Sequence, residues 1–306
     1  MSHLTRLALL LLALLALPSP AAAKLRVVAT VPSLAAVARD VAGEDAEVKA
    51  LVLPTQDPHW VDARPNLALE LSRADLLLIV GLELEVGWLP NLQTGSRNAA
   101  IQKGGKGYLD VSQFVNLREA PTAPVDRSQG DIHPGGNPHF LHDPRSVEAI
   151  AYGIARRMGE LDPEHAAGYL TRAQTLAVTL ARKIPEWEAR LAPLRGMKLV
   201  AYHKSWPYAE AWLGFEIVEY VEPKPGIPPN PAHVAQVLGA MRRHGVPAII
   251  EEAYYSDATV EQISERTGAR ILRIPGGVHF VEGETYVEHM EEFVGLLAQL
   301  VPGGAP

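Results

Sequence analysis

Residues 162–194 read DPEHAAGYLTRAQTLAVTLARKIPEWEARLAPL, and most of them favour a helix. Asp162 followed by Pro163 is typical of a helix N-terminus, with an N-cap residue and a proline at the first helical position. We expect Pro185 to bend or interrupt the helix, because proline lacks a backbone N–H and its ring crowds the preceding turn. The segment therefore predicts one long, rigid linking helix.

Short apolar runs alternate with amphipathic stretches on both sides of this segment. The runs that predict strands are Leu25–Val31, Val48–Val52, Leu76–Val80, Lys198–Tyr202, Phe215–Val221, Ala248–Glu252 and Arg270–Ile274. Such alternation is typical of parallel sheets covered by helices. We predict an α/β fold of two lobes, each a mostly parallel sheet with flanking helices, joined by one long helix. The N-terminal lobe spans 24–161 and the C-terminal lobe 195–306, and Gln113–Pro138 is predicted to be an irregular loop.

The first 23 residues have the composition of a cleavable signal peptide. Arg6 precedes the apolar run Leu7–Leu17, and the segment ends in Ala21-Ala22-Ala23. The run is shorter than the roughly 20 residues that a spanning helix needs. With no cysteine, disulfides and a lipidated N-terminal cysteine are not expected. These features predict a protein secreted to the periplasm.

Composition narrows the class of partner. The chain has 306 residues, is 47% hydrophobic and carries a formal net charge of −7. It is long enough for about two domains. A negative balance without a basic cluster argues against nucleic acid or an anionic membrane as partner. Cations and small molecules fit better.

Three histidines follow predicted strands or stand in loops of similar composition. They are His59, His139 and His203. The carboxyl ends of parallel strands line the ligand crevice of open α/β sheets, so these side chains can meet although they are distant in sequence. His59 and His139 each follow a proline and precede an aromatic residue, Trp60 or Phe140, which we expect to pack against the wall of the site.

Neutral imidazole suits zinc and neighbouring transition ions, whereas Mg²⁺ and Ca²⁺ prefer oxygen ligands. Three histidines need a fourth group to complete a tetrahedron, and a water molecule in that place would leave an open site. A zinc-dependent periplasmic hydrolase with Glu252 as general base is therefore the alternative function. Against it, the sequence lacks His-Glu-x-x-His and Gly-x-Ser-x-Gly. A metal-independent binding or adhesion protein is a third hypothesis.

Three short motifs carry a resemblance to a known family. Asp57-Pro58-His59, Asn137-Pro138-His139 and Tyr202-His203, with the two predicted lobes and the linking helix, resemble the zinc/manganese-binding solute-binding proteins of metal ABC importers, the cluster A-I family. The resemblance implies that the chain is not an enzyme. It implies a metal ion held between the lobes by His59, His139 and His203, and delivery of that ion to a membrane permease.

The fourth ligand departs from the pattern of this family. The family usually has an Asp at the end of its last core strand, before Pro and Gly, and Arg273 stands there in this sequence. We expect Arg273 to turn outward or to pair with Glu251, Glu252 or Glu282.

Glu252 ends the adjacent predicted strand and is the preferred fourth ligand, with a role in orienting a ligating histidine as its alternative. His279, His133 and water are the other candidates.

The predicted function is high-affinity capture of zinc, with manganese less favoured because it prefers more carboxylate ligands. A periplasmic metallochaperone that loads the site is an additional partner left open, and no nucleic acid is expected. Four histidines in helical stretches receive no function: His165, His233, His244 and His289.

Overall fold

In the part of the chain that the structure describes, two parallel sheets of four strands each form two halves. The computed structural model describes residues 23–121, 130, 133–255 and 257–301. Residues 1–22 of the predicted signal peptide lie outside this part. Among the described residues, no helix combines the length and the apolar composition needed to cross a bilayer.

The N-terminal sheet has the strand order β2-β1-β3-β4, and every neighbouring pair is parallel. Its strands are β1 (Leu25–Ala29), β2 (Ala46–Ala50), β3 (Leu76–Ile79) and β4 (Tyr108–Asp110). The helices that follow the first three strands are α1 (Pro32–Ala42), α2 (Pro65–Arg73) and α3 (Leu89–Ser96). All four residues of β3 are buried, as expected of a strand covered on both faces.

The C-terminal sheet repeats this order as β6-β5-β7-β8, again with parallel pairs. Its strands are β5 (Lys198–Ala201), β6 (Glu216–Tyr220), β7 (Ala248–Glu252) and β8 (Arg270–Ile274). The helices of this half are α6 (Pro207–Leu213), α7 (Pro231–His244), α8 (Asp257–Thr267) and α9 (Tyr286–Ala298). The predicted α/β architecture of two parallel-sheet lobes is confirmed.

A pair of helices lies between the two sheets in sequence. Helix α4 is Val147–Leu161 and helix α5 is Ala166–Leu191, which has 26 residues and continues through Pro185. Of the prediction that Pro185 bends or interrupts the helix, the interruption is wrong. The loss of one hydrogen bond is offset by burial of apolar side chains on both sides of the proline, among them Leu180, Trp187 and Leu191.

The N-terminal boundary of α5 also differs from the prediction. The helix begins at Ala166 after His165, and Asp162 instead follows the end of α4. The Asp162 carboxylate accepts a hydrogen bond from the Tyr169 hydroxyl at 2.6 Å, which ties the turn between the two helices to the first turns of α5. Its side chain is therefore used within the α4–α5 turn.

One continuous apolar core joins the lobes. It contains Leu34 of α1, Ile154 of α4, Leu180 of α5, Leu199 of β5 and Phe293 of α9. Helix α5 contacts α1 of the N-terminal half and α9 of the C-terminal half. Because moving one lobe would disturb this shared packing, α5 acts as a stiff connection between them.

The predicted irregular loop, Gln113–Pro138, is described in part. Residues 122–129 and 131–132 lie outside the described residues. Within the described remainder, a 3-10 turn at Val111–Phe114 is followed by chain without helix or strand. This segment leads into His139.

Candidate metal centre

The three histidines selected from the sequence converge in the structure. One ring nitrogen from each of His59, His139 and His203 lies within 4.8 Å of one from each of the others. The ring centroids are 5.3 Å apart for His59–His139, 5.1 Å for His59–His203 and 5.3 Å for His139–His203. His59 and His203 are buried and His139 is partly buried. The side chains thus surround one small space.

The two sheets contribute to this space from their carboxyl edges. His59 lies in the loop after β2, and His203 follows β5 by two residues. His139 comes from the chain between β4 and α4. Parallel strands direct their carboxyl ends toward the same edge, which is why histidines so distant in sequence can meet.

The repeated Asx-Pro-His motif holds two of the rings in the same way. Asp57 Oδ1 accepts hydrogen bonds from the backbone N–H of His59 at 2.9 Å and from its Nδ1 at 2.7 Å. Asn137 Oδ1 accepts from the backbone N–H of His139 at 3.0 Å and from its Nδ1 at 2.9 Å. The acid or amide two residues before each histidine therefore fixes its ring. The motif is visible in the sequence, but the role of Asp57 and Asn137 in fixing the two rings was not predicted from it.

His203 is oriented by a residue that the sequence analysis did not select. Glu222 Oε2 lies 2.7 Å from Nδ1 of His203, and both side chains are buried. Burial disfavours the charged imidazolium, but the hydrogen bond and charge of Glu222 outweigh it and raise the pKa of His203. The available signal was an acidic residue just after β6, the strand next to β5.

These contacts determine which nitrogen faces the centre. A carboxylate oxygen can only accept, so each Nδ1 bonded to one must carry the proton. In the neutral ring Nε2 then keeps its lone pair, which is the form that binds a metal, and at His203, whose pKa is raised, the ion must displace a proton to bind. The Nε2 atoms of His59 and His139 are buried without a hydrogen-bond partner among the described residues. Burial, followed by the charges of the neighbouring histidines, lowers the pKa of His139 well below its usual value, so its ring is neutral.

Glu252 does not belong to the group of three. It ends β7 with 1% of its surface exposed, and both carboxylate oxygens lack a hydrogen bond of normal length to a described residue. Burial raises the pKa of its carboxyl to about 7, although the charge of His203 and the nearby Ser205 hydroxyl offset part of this effect. An unneutralised carboxylate in such a position is costly, so Glu252 is suited either to hold a proton or to face a cation.

The other candidates for a fourth ligand also lie outside the group of three. The ring centroid of His133 is 5.5 Å from that of His59, and its Nδ1 is 2.8 Å from the carbonyl oxygen of Leu82. The backbone N–H of His279 donates to Glu284, at the start of the segment that leads into α9.

Nε of Arg273 lies 3.1 Å from Oε1 of Glu251, and this ion pair is one of those expected from the sequence. The two residues are opposite each other in the β7–β8 pair, and Arg273 also contacts Glu261. Because successive residues of a strand face opposite sides, this pairing leaves Glu252 on the other face of the sheet.

Trp60 and Phe140 were both expected to pack against the wall of the site, and the expectation is wrong for Trp60. Phe140 is fully buried, whereas Trp60 is 62% exposed and does not close the wall beside His59. Trp88 supports that loop instead, since its indole N–H donates to the carbonyl oxygen of Pro58 at 2.9 Å.

Comparison with known proteins agrees with this arrangement. The family model for the periplasmic zinc-uptake complex component A, ZnuA, matches residues 27–300. The chain is 27% identical over 271 residues to the iron-binding protein YfeA of Yersinia pestis, covering 87% of this chain and 80% of that protein. It is 24% identical over 277 residues to the high-affinity zinc uptake system protein ZnuA of Paracoccus denitrificans (strain Pd 1222), covering 80% and 81% of the two.

A crystal structure of ZnuA has the same fold. It matches with a TM-score of 0.76 at 20% sequence identity, and the match covers 92% of this chain and 100% of that one. The family consists of extracytoplasmic solute-binding proteins that bind metal ions and work with a membrane permease, and they are not enzymes. The hydrolase alternative is therefore set aside. From the match over residues 27–300, the chain belongs to the ZnuA family of metal-binding solute-binding proteins of ABC importers.

Proposed function

We propose that the chain captures zinc in the periplasm with His59, His139 and His203 and delivers it to its permease. The main support is that one ring nitrogen from each of the three histidines lies within 4.8 Å of the others. In each ring, Nδ1 is hydrogen-bonded to a side-chain oxygen. Rings fixed in this way lose little freedom on binding, and their tautomer is already the one that a metal requires.

The ligand set favours zinc over manganese. Three neutral imidazoles suit zinc, whereas manganese prefers more carboxylate and water ligands. The names of the relatives include both an iron-binding protein and a zinc uptake protein, so the choice rests on the side chains of this chain.

Glu252 is the proposed fourth ligand. Its carboxylate is buried at the end of β7 without a compensating hydrogen bond of normal length, and a cation in the adjacent space would compensate its charge. Because Glu252 is not within the group of three, its side chain would have to rotate toward the ion. Water, His133 and His279 are the alternatives in the test below.

The route to the periplasm is the signal peptide at residues 1–23, which the exporting cell would remove. We leave a metallochaperone out of the proposal, because capture by a preformed ligand set needs no second protein.

The test is a zinc titration in competition with a chelator, on the wild type and on single alanine variants of the three histidines. We expect one tightly bound zinc ion and at least about a tenfold loss of affinity in each variant. His244→Ala, which changes an exposed histidine at the end of α7, is the matched control and should bind as the wild type. Unchanged affinity in His139→Ala would contradict the proposal. Anomalous scattering at the zinc edge from zinc-soaked crystals would identify the fourth ligand.

A further inference from the structure

A second group of potential metal ligands lies at the start of α9. Glu284, His289 and Glu292 each offer one donor atom within 4.8 Å of those of the other two. None of these residues takes part in the three-histidine group. His289 and Glu292 are three residues apart on α9 and so project from the same side of the helix.

His289 is the buried member of this group. It is 6% exposed, and its Nδ1 is buried without a hydrogen-bond partner among the described residues. Oε1 of Glu284 lies 3.9 Å from that nitrogen, which is too far for a hydrogen bond. A buried imidazole nitrogen left in this state costs free energy unless something else occupies the gap.

The carboxylate of Glu284 is held so that one oxygen faces His289. Its Oε2 accepts the backbone N–H of His279 at 2.5 Å, and its side chain is 17% exposed. The charge of Glu292 adds to the effect of burial in raising the pKa of Glu284, so two carboxylates repel each other across the same gap. Burial lowers the pKa of His289 to about 3, which leaves its ring neutral and unable to neutralise them.

We infer that Glu284, His289 and Glu292 form a second site for a divalent transition-metal ion, with one imidazole and two carboxylate ligands. A cation there would coordinate the unpartnered Nδ1 of His289 and offset the repulsion between Glu284 and Glu292. Two ligands held about 2.1 Å from one tetrahedral ion lie about 3.4 Å apart, so Nδ1 and Oε1, now 3.9 Å apart, would have to approach each other by about half an ångström. One exposed carboxylate leaves this site open to solvent and its ion exchangeable.

The location suggests what the ion would do. Arg39 of α1, in the N-terminal half, donates to the backbone carbonyl oxygens of Phe280, Gly283 and Glu284 in the C-terminal half. The Arg39 guanidinium also lies 4.4 Å from the centroid of the Phe280 ring. Fixing Glu284 to α9 through an ion would stiffen the segment that Arg39 holds, and so strengthen this contact between the lobes.

The test counts metal equivalents with Zn²⁺ alone, by calorimetric titration of the purified protein. We expect two equivalents in the wild type, one tight and one weaker, and loss of the weaker one in Glu292→Gln, which alters an exposed side chain. Glu282→Gln, an exposed neighbour outside the group, is the matched control and should retain both. His289→Gln should also lose the weaker zinc equivalent. If His289→Gln does not fold, the result for Glu292→Gln decides whether the second site exists.

A second arm separates this inference from the proposed function. In a His59→Ala/His203→Ala background the tight equivalent should disappear while the weaker one remains and is still removed by Glu292→Gln. A single equivalent in the wild type at millimolar zinc, or a second equivalent that survives Glu292→Gln, would overturn the second site and leave the three-histidine site unaffected.

Discussion

Oε2 of Glu222 lies 2.7 Å from Nδ1 of His203, and this contact joins the ends of two neighbouring strands, β6 and β5. The carboxylate fixes the proton on Nδ1 and increases the electron density available at Nε2. If His203 is a zinc ligand, as proposed, its affinity for the ion depends on a residue that does not itself contact the ion.

Replacement of Glu222 by alanine should therefore weaken zinc binding by about 10–100-fold, the usual effect of removing a hydrogen-bond partner of a metal-binding histidine. Glu222→Gln keeps a hydrogen-bond acceptor but not the charge, so it should lose less zinc affinity than Glu222→Ala. Zinc titration of both variants is the measurement, with Glu216→Gln on the exposed part of β6 as the control. Equal affinity in Glu222→Ala and the wild type would mean that His203 needs no such support.

The two Asx-Pro-His motifs allow a matched comparison. Asp57→Ala removes the acceptor for His59, and Asn137→Ala removes the acceptor for His139. Each should lower zinc affinity by about 10–100-fold because the ring becomes free to rotate. Asp57→Asn and Asn137→Asp keep an acceptor oxygen and should recover most of the affinity. If the conservative variants bind no better than the alanine variants, ring orientation by these oxygens is not what matters.

Much of the fold could be predicted, because short apolar runs in the sequence correspond to buried strands. The strand Leu76–Val80 was recognised from a continuous apolar run, and the structure has β3 at Leu76–Ile79. The start of α5 could not be placed, because Asp162 and Pro163 are equally suited to the turn between two helices. The outcome at Pro185 depended on packing of Leu180 and Trp187 against other elements, which local sequence does not contain.

Some residues of the candidate site could likewise be predicted from the sequence, and others could not. His59, His139 and His203 were recognisable because short motifs surround them, and parallel strands bring their exits together. Glu222 is 19 residues from His203, and the contact depends on which strands are neighbours in the sheet. His289 received no function because its partner Glu284 lies before the helix, where spacing on α9 gives no indication of their proximity.

Glu252 should have opposite effects on stability with and without zinc. In the metal-free protein, burial raises the pKa of Glu252 from 4.5 to about 7. The folded state thus holds its proton more tightly than the unfolded state, so stability is lost as pH rises from 4.5 through 7, by up to about 3 kcal/mol. Glu252→Gln should therefore raise the melting temperature of the metal-free protein at pH 8, and much less at pH 5.

With zinc bound, the wild type should have a higher melting temperature than Glu252→Gln. The wild-type carboxylate then serves as a ligand, so the rise in melting temperature on adding zinc should be smaller for Glu252→Gln than for the wild type. Differential scanning calorimetry of both proteins with zinc and with a chelator provides the four values required. The same zinc-dependent rise in both proteins at pH 8 would remove Glu252 from the set of ligands.

His142 should make the protein sensitive to mild acid. Its ring stacks on Trp206 with centroids 4.9 Å apart, and its Nδ1 lies 3.3 Å from the carbonyl oxygen of Ser205. Burial lowers the pKa of His142 from 6.5 to about 4, so the ring is neutral in the folded protein. The unfolded chain takes up a proton below pH 6.5 and the folded chain does not. Stability is therefore present above pH 6.5 and is lost as pH falls toward 4, by up to about 3 kcal/mol.

His142→Phe keeps an aromatic ring against Trp206 and removes the titrating group. The unfolding free energy of this variant, measured by urea denaturation without metal, should fall less between pH 7 and pH 5 than that of the wild type. The partly buried His139 and the buried His289 also have lowered pKa values, so part of the acid sensitivity should remain in the variant. His244→Phe changes an exposed histidine and should leave the pH dependence as it is in the wild type. Parallel profiles for His142→Phe and the wild type would show that proton uptake at His142 does not limit stability in acid.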